Sequence, residues 1–323
     1  MDKTLYWLFA PVLIAGALLL ILPASSRWRG VLLLSGIAGI LAVLCWRLTD
    51  IWSSAYEVNG SIFANAARLI DRFGWSATHG RLYFGGGSEF DPAWPAYNHH
   101  PPGIAWLVTL LYNAGGQGEA FARAVPIAFS VVGFAVVLWR LSLTRTSAFI
   151  GAFIVAAAAC PALAYYGRML NFEPVCLALG LVTFATVDFR TQDRRWTAFL
   201  VLVQCILPWM GWSGIPLALA GSWMIVRRIG GVRLTYCLMI LPVASAAVLV
   251  WYLAGYTGGF SEMMGATKAW TYMGERPAHE TTGFWLLFVK YRLGRTIPFM
   301  LLALLPLLLL RRIRHQLEPW LAR

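Results

Sequence analysis

Long apolar runs separated by arginine clusters constrain this chain more than any other feature. Leu5–Ala24, Gly30–Trp46, Phe121–Trp139, Ser147–Leu163 and Val232–Leu253 each come near the length that crosses a hydrocarbon core, which takes about 20 residues of helix. Lipid offers no hydrogen-bond partner, so every backbone N–H and C=O must be paired inside the segment, and such runs are helices. Composition agrees, with 59% of residues hydrophobic and 12% charged, against about 25% charged in an ordinary soluble domain. The first run reads as a crossing and not as a cleaved signal. Arg27, Arg29 and a second apolar run follow it directly, with no convincing small-x-small cleavage site.

The net charge of +12 does not point to nucleic acid, because of where the charge lies. It sits in short clusters between apolar runs: Arg27 and Arg29; Arg140 and Arg145; Arg190, Arg194 and Arg195; Arg227, Arg228 and Arg233; Arg311, Arg312 and Arg314. Clusters of this kind mark cytoplasmic connections and meet anionic lipid there. The five cysteines all lie inside apolar runs without a CxxC spacing. That pattern suggests neither a disulfide framework nor a zinc site, and they read as small apolar residues.

Placing every arginine cluster inside predicts an all-α polytopic membrane protein with about nine crossings, N-terminus outside and C-terminus inside. The remaining crossings are Phe172–Val187, a hairpin of Trp196–Pro208 and Ile215–Val226 turning at Trp209–Gly214, and Ile297–Leu310. Two outer loops result, about 47–120 and 254–296, within a single transmembrane domain of residues 1–323. No internal repeat and no soluble domain is visible. Gly103–Tyr112 is only about 15 Å of helix, so it is juxtamembrane or re-entrant.

The outer loops hold the unusual residues. In the first, Ile62, Phe63, Ala66, Leu69, Ile70 and Phe73 recur at helical spacing, with Ser61, Asn65, Arg68 and Arg72 opposite. That pattern predicts an amphipathic helix at the membrane surface, ended by Gly74. Gly85-Gly86-Gly87, Glu89 and Asp91 follow, then His99-His100-Pro101-Pro102. The histidines suit a phosphate or sugar hydroxyl; a helix-capping role and a divalent metal are the alternatives, and adjacent loop histidines are poor joint metal ligands because their side chains diverge. Arg168 and Glu173 flank the turn Tyr165–Pro174, with a separation that permits an ion pair. The second loop interleaves Arg276, Arg292 and Arg295 with aromatics, a basic set suited to a lipid phosphate.

An ordered series within residues 45–190 resembles the C-type (GT-C) membrane glycosyltransferases, specifically bacterial relatives of protein O-mannosyltransferases and of the lipid A aminoarabinose transferase. It consists of Phe63 with Ala66-Ala67-Arg68, then His100-Pro101-Pro102, then Gly118-Glu119 through Arg123 to Pro126, then Tyr165-Tyr166-Gly167-Arg168 with Glu173-Pro174. The resemblance implies a sugar donor carried on polyprenyl phosphate and transfer with inversion at the periplasmic or extracellular face of a bacterial inner membrane. It also implies a general base from a first-loop acid, with His99, His100, Arg68, Arg168, Glu173, Arg276, Arg292 and Arg295 near the donor phosphate or substrate. The chain departs from the family where its catalytic Asp should fall, because Asn59 and Gly60 stand there. Glu57 is the nearest carboxylate and Asp50 the second. Members of the family usually run longer, so a compact or truncated member is expected. A carrier-binding subunit without turnover and a lipid or solute transporter are the competing expectations, though a transporter commonly shows repeat symmetry.

Overall fold

A computed structural model describes residues 14, 18, 29–45, 48–49, 58–83, 90–91, 94, 96–97, 100–144, 147–158, 167–190, 193–229 and 232–255. These residues form helices α1 (Arg29–Leu44), α2 (Val58–Thr78), α3 (Gly103–Gly115), α4 (Glu119–Thr144), α5 (Ser147–Ala158), α6 (Phe172–Arg190), α7 (Arg194–Met210), α8 (Gly214–Ile229) and α9 (Val232–Ala254). The only strand-like pairing among them is an isolated antiparallel bridge between Tyr83 and Ala96. The expected all-helical character is therefore met.

The expectation of about nine crossings is not confirmed by the described helices. One described helix, over Glu119–Leu143, is both long and apolar enough to cross a bilayer, with a mean hydropathy of 2.1. Leu33–Leu44, Gly103–Gly115, Phe172–Val187 and Ile240–Ala254 are apolar but shorter. The runs Leu5–Ala24 (apart from Ile14 and Leu18) and Ile297–Leu310 lie outside the described residues. The hairpin turn is tighter than expected, because Trp209 and Met210 continue α7 and leave only residues 211–213 between helices.

The chain divides into two compact units. The first comprises Met1–Val43, Leu141–Tyr165 and Tyr272–Arg323. Within it α1 and α5 meet where Gly36 has no side chain; a Cβ there would lie 3.1 Å from the Ile154 Cδ1. The second comprises Leu44–Arg140 and Tyr166–Thr271, and it holds the described residues of the sequence series.

Within the second unit α2 follows its amphipathic pattern. Phe63, Ala66, Ala67, Leu69 and Ile70 are buried, while Arg72 is exposed. The apolar face lies against α3 and the surrounding core and so is covered by protein. Gly74 interrupts the helix at φ 84°, ψ 161°, a region open to almost nothing but glycine. Four rings then close over its tail: Trp75, Trp106, Trp209 and Tyr252 stand 5.3–6.1 Å apart in successive pairs. The Tyr252 hydroxyl donates to the His79 carbonyl at 2.9 Å.

α6 to α9 pack on one another as consecutive neighbours. Their contact is partly polar. The buried Gln204 amide donates to Thr183 Oγ1 at 2.8 Å, and Gly221 leaves room for that amide. A buried amide donor paired in this way avoids the cost of leaving a polar group unsatisfied in an apolar contact.

Candidate functional site

Arg68 sits one turn after Ala64 on the polar side of α2, half-buried, and its guanidinium reaches the start of α4. Nη2 pairs with Glu119 Oε1 at 3.0 Å, Nη1 donates to Asn65 Oδ1 at 3.0 Å, and Nε and Nη2 both donate to the Gln117 carbonyl at 3.3 Å. The Gln117 amide turns back to donate to Asp71 Oδ2. Two segments of the sequence series, 51 residues apart, are thus tied by a charge-assisted network. Beneath it Tyr112 lies buried, its ring 5.9 Å from the Arg68 guanidinium carbon. Burial pushes the Tyr112 phenol up to about 12, against the opposing pull of Arg68.

His100 occupies the next layer. It is buried between three rings, with centroids 4.8 Å from Phe172, 5.6 Å from Tyr97 and 6.0 Å from Phe63. Pro101 and Pro102 are buried after it, and α3 begins at once at Gly103. A Cβ on Gly103 would stand 2.5 Å from the Trp209 carbonyl oxygen, so the glycine permits α3 to start against the end of α7. Tyr97 is held by its N–H to the Leu82 carbonyl, and burial pushes its phenol up to about 12. Both phenols stay protonated through the physiological range.

The turn before α6 completes the cluster. Gly167 offers its carbonyl to Ser130 Oγ at 2.8 Å, and Asn171 Oδ1 caps the Phe172 N–H at 2.9 Å. Arg168 is half-buried in this turn and Glu173 is exposed in the first turn of α6. Phe63, Ala66 and Ala67 from α2, Ala122 and Val125 from α4, and Leu170 from the turn belong to one buried cluster, with Phe172 packed against it. Every segment of the sequence series contributes to it or touches it.

Three groups missing from the expected site residues belong to this arrangement. Glu119 pairs Arg68, Gln117 bridges to Asp71, and Arg123 is buried to 2% exposure while donating to the Leu48 carbonyl at 3.0 Å. Glu119 and Arg123 stand in the sequence series itself; their partners could not be read there, because pairing across a helix contact has no local spacing. Asp50, Glu57, His99, Arg276, Arg292 and Arg295 lie outside the described residues. Asn59 stands in the first turn of α2, and its side chain lies outside them too. Among the described residues no three His, Cys, Asp or Glu side chains gather as a metal site.

No family profile, curated protein or solved structure matches the chain.

Proposed function

We propose that the chain is a polytopic membrane glycosyltransferase that moves a sugar from a polyprenyl-phosphate carrier to an acceptor on the outer face of a bacterial plasma membrane. The observation that carries this reading is the shared cluster. Residues spread from Phe63 to Phe172 pack into one cluster, rings from it and beside it stand against His100, and Arg68 is tied to Glu119. Membrane embedding draws support from the Glu119–Leu143 helix and from outward apolar side chains such as Trp251, which is 78% exposed.

In this reading a carboxylate between α1 and α2, Glu57 before Asp50, takes the proton of the acceptor hydroxyl as its oxygen attacks the sugar's anomeric carbon. The bond from that carbon to the phosphate oxygen breaks on the opposite side, which inverts the centre, and the electron pair leaves with the lipid phosphate. Arg168, with His99, offsets the charge that develops there. Arg68 and His100, enclosed by Glu119 and by three rings, hold the frame of the site.

Membranes containing the protein, incubated with a panel of labelled undecaprenyl-phosphate sugars, should transfer label to an acceptor. Glu57→Gln should lower transfer by about 10²–10⁴-fold, the usual contribution of a general base. Unchanged transfer in both Glu57→Gln and Asp50→Asn would remove the base assignment. Absence of transfer across the donor panel, with carrier still photo-crosslinked to the protein, would favour the carrier-binding reading. Asn59, an amide where the resembling family carries its acid, is the observation on that side.

A further inference from the structure

α7 and α8 each present one exposed stripe. On α7 it runs through Arg194, Arg195, Ala198, Phe199 and Leu202; on α8 through Pro216, Leu219, Ala220, Trp223 and Arg227, with Arg228 beside it. Spacings of three and four residues put each set along one side of its helix. Both stripes are apolar over most of their length and end in arginine.

The arginine ends coincide. Val187 of α6, Leu200 of α7 and Ile225 of α8 are buried together, with Trp196 and Met224 packed against them. The beginning of α7 and the end of α8 are therefore neighbours, and α9 begins only a few residues beyond α8. The transfer cluster lies toward the other end of the same helices, at Leu207, Met210 and Ala218.

Helix stability explains only half of this charge. Arg227 and Arg228 complement the negative C-terminal end of the α8 dipole, but Arg194 and Arg195 oppose the positive N-terminal end of α7. Asp193, which accepts the Arg195 N–H at 2.9 Å, is an acid at that same start. The Arg227 guanidinium carbon stands 5.4 Å from the centre of the Trp223 ring, an aromatic placed where charge gives way to apolar surface.

We infer that this end of the α7–α8 hairpin binds an anionic phospholipid, as a second lipid partner distinct from the sugar carrier. The phosphate meets Arg194, Arg195, Arg227 and Arg228 through charge-assisted hydrogen bonds. The acyl chains lie along Phe199 and Leu202, and along Leu219 and Trp223. This rests on the membrane reading above and is independent of whether sugar is transferred.

The full-length protein, purified in neutral detergent and stripped of lipid, is mixed with phosphatidylglycerol, with phosphatidylcholine of the same chains, or with water-soluble glycerol phosphate. Bound lipid is counted by native mass spectrometry, and thermal melts are recorded in parallel. Phosphatidylglycerol should bind preferentially and raise the melting temperature, whereas glycerol phosphate should do neither. Replacing arginine by glutamine at 194 and 195, or at 227 and 228, should cut the preference roughly fivefold per charge removed. Equal binding of the two lipids, or an unchanged preference with all four arginines replaced, overturns the inference. So does a shift produced by glycerol phosphate alone, which would mark a free-phosphate site. Release of the chain from membranes by alkaline carbonate would overturn the membrane reading with it, whereas a retained chain without headgroup preference would overturn this inference alone.

Discussion

Separating Arg68 from Glu119 is the sharpest test of how the site is held. Two unit charges 4 Å apart attract by about 4 kcal/mol at an effective dielectric of 20. Desolvation and side-chain ordering remove most of that, and exposed pairs retain only about 0.2–1 kcal/mol. Here both side chains are little more than a quarter exposed, at 28% and 26%, and the 3.0 Å contact is reinforced by donation to the Gln117 carbonyl and to Asn65. The pairwise coupling should therefore reach the upper end of that range, about 1 kcal/mol. Arg68→Gln should cost more, about 2 kcal/mol, because the Gln117 carbonyl and the Glu119 carboxylate both lose a donor. Glu119→Gln should cost about 1 kcal/mol, since the guanidinium keeps its other acceptors. The assay is reversible unfolding in detergent micelles for wild type, both single variants and the double variant. A coupling under about 0.3 kcal/mol, the scatter expected of independent sites, would refute the claim that this pair ties α2 to α4. Arg68→Lys offers a check on geometry: a single ammonium cannot serve Glu119, Gln117 and Asn65 together, so it should restore less than half of the loss.

Gly74→Ala should destabilise the protein by about 1–3 kcal/mol in the same unfolding assay, because no residue with a Cβ settles at φ 84°, ψ 161° without strain. The surrounding space is open, so an unaffected variant would show that the backbone relaxes there. Gly103→Ala should cost about 1–3 kcal/mol for a different reason, the overlap of its new methyl with the Trp209 carbonyl and the Met210 side chain. Stability should also fall as pH rises between about 10 and 12, because Tyr97 and Tyr112 ionise near 10 when unfolded and near 12 when folded. Their contribution is complete below pH 10 and is lost through 12. Tyr97→Phe should flatten that decline in alkaline melts. Tyr112→Phe should do so at almost no cost near neutral pH, since the Tyr112 hydroxyl has no hydrogen-bond partner among the described residues.

What could be read from sequence was what depends on nearest neighbours along the chain. The apolar run lengths located α1, α4, α6 and α9 closely, and the three-to-four spacing from Ile62 to Phe73 located α2 together with its break at Gly74. The turn expected from Trp209 begins two residues later, because tertiary packing keeps Trp209 and Met210 helical: Trp209 stacks on Trp106 and donates to Ser245. Which charge meets which was not legible. That Arg68 meets Glu119 depends on α2 and α4 coming together in three dimensions, 51 residues apart in the chain. The rings around His100, Phe63, Tyr97 and Phe172, come from three separate segments, so that surrounding has no local signature.

The ring cage around His100 also has an order of assembly written into it. Phe63, Tyr97 and His100 leave the ribosome well before Phe172, and Arg68 is made 51 residues ahead of Glu119. During synthesis the Arg68 guanidinium therefore waits for Glu119, and the His100 imidazole waits longer, until Phe172 arrives. A chain stalled between Glu119 and Phe172 would expose His100 to a quality-control chaperone or a chemical label, and release of the stall would hide it. Phe172, the last of the three rings to be made, thus sets when the imidazole can be enclosed on every side.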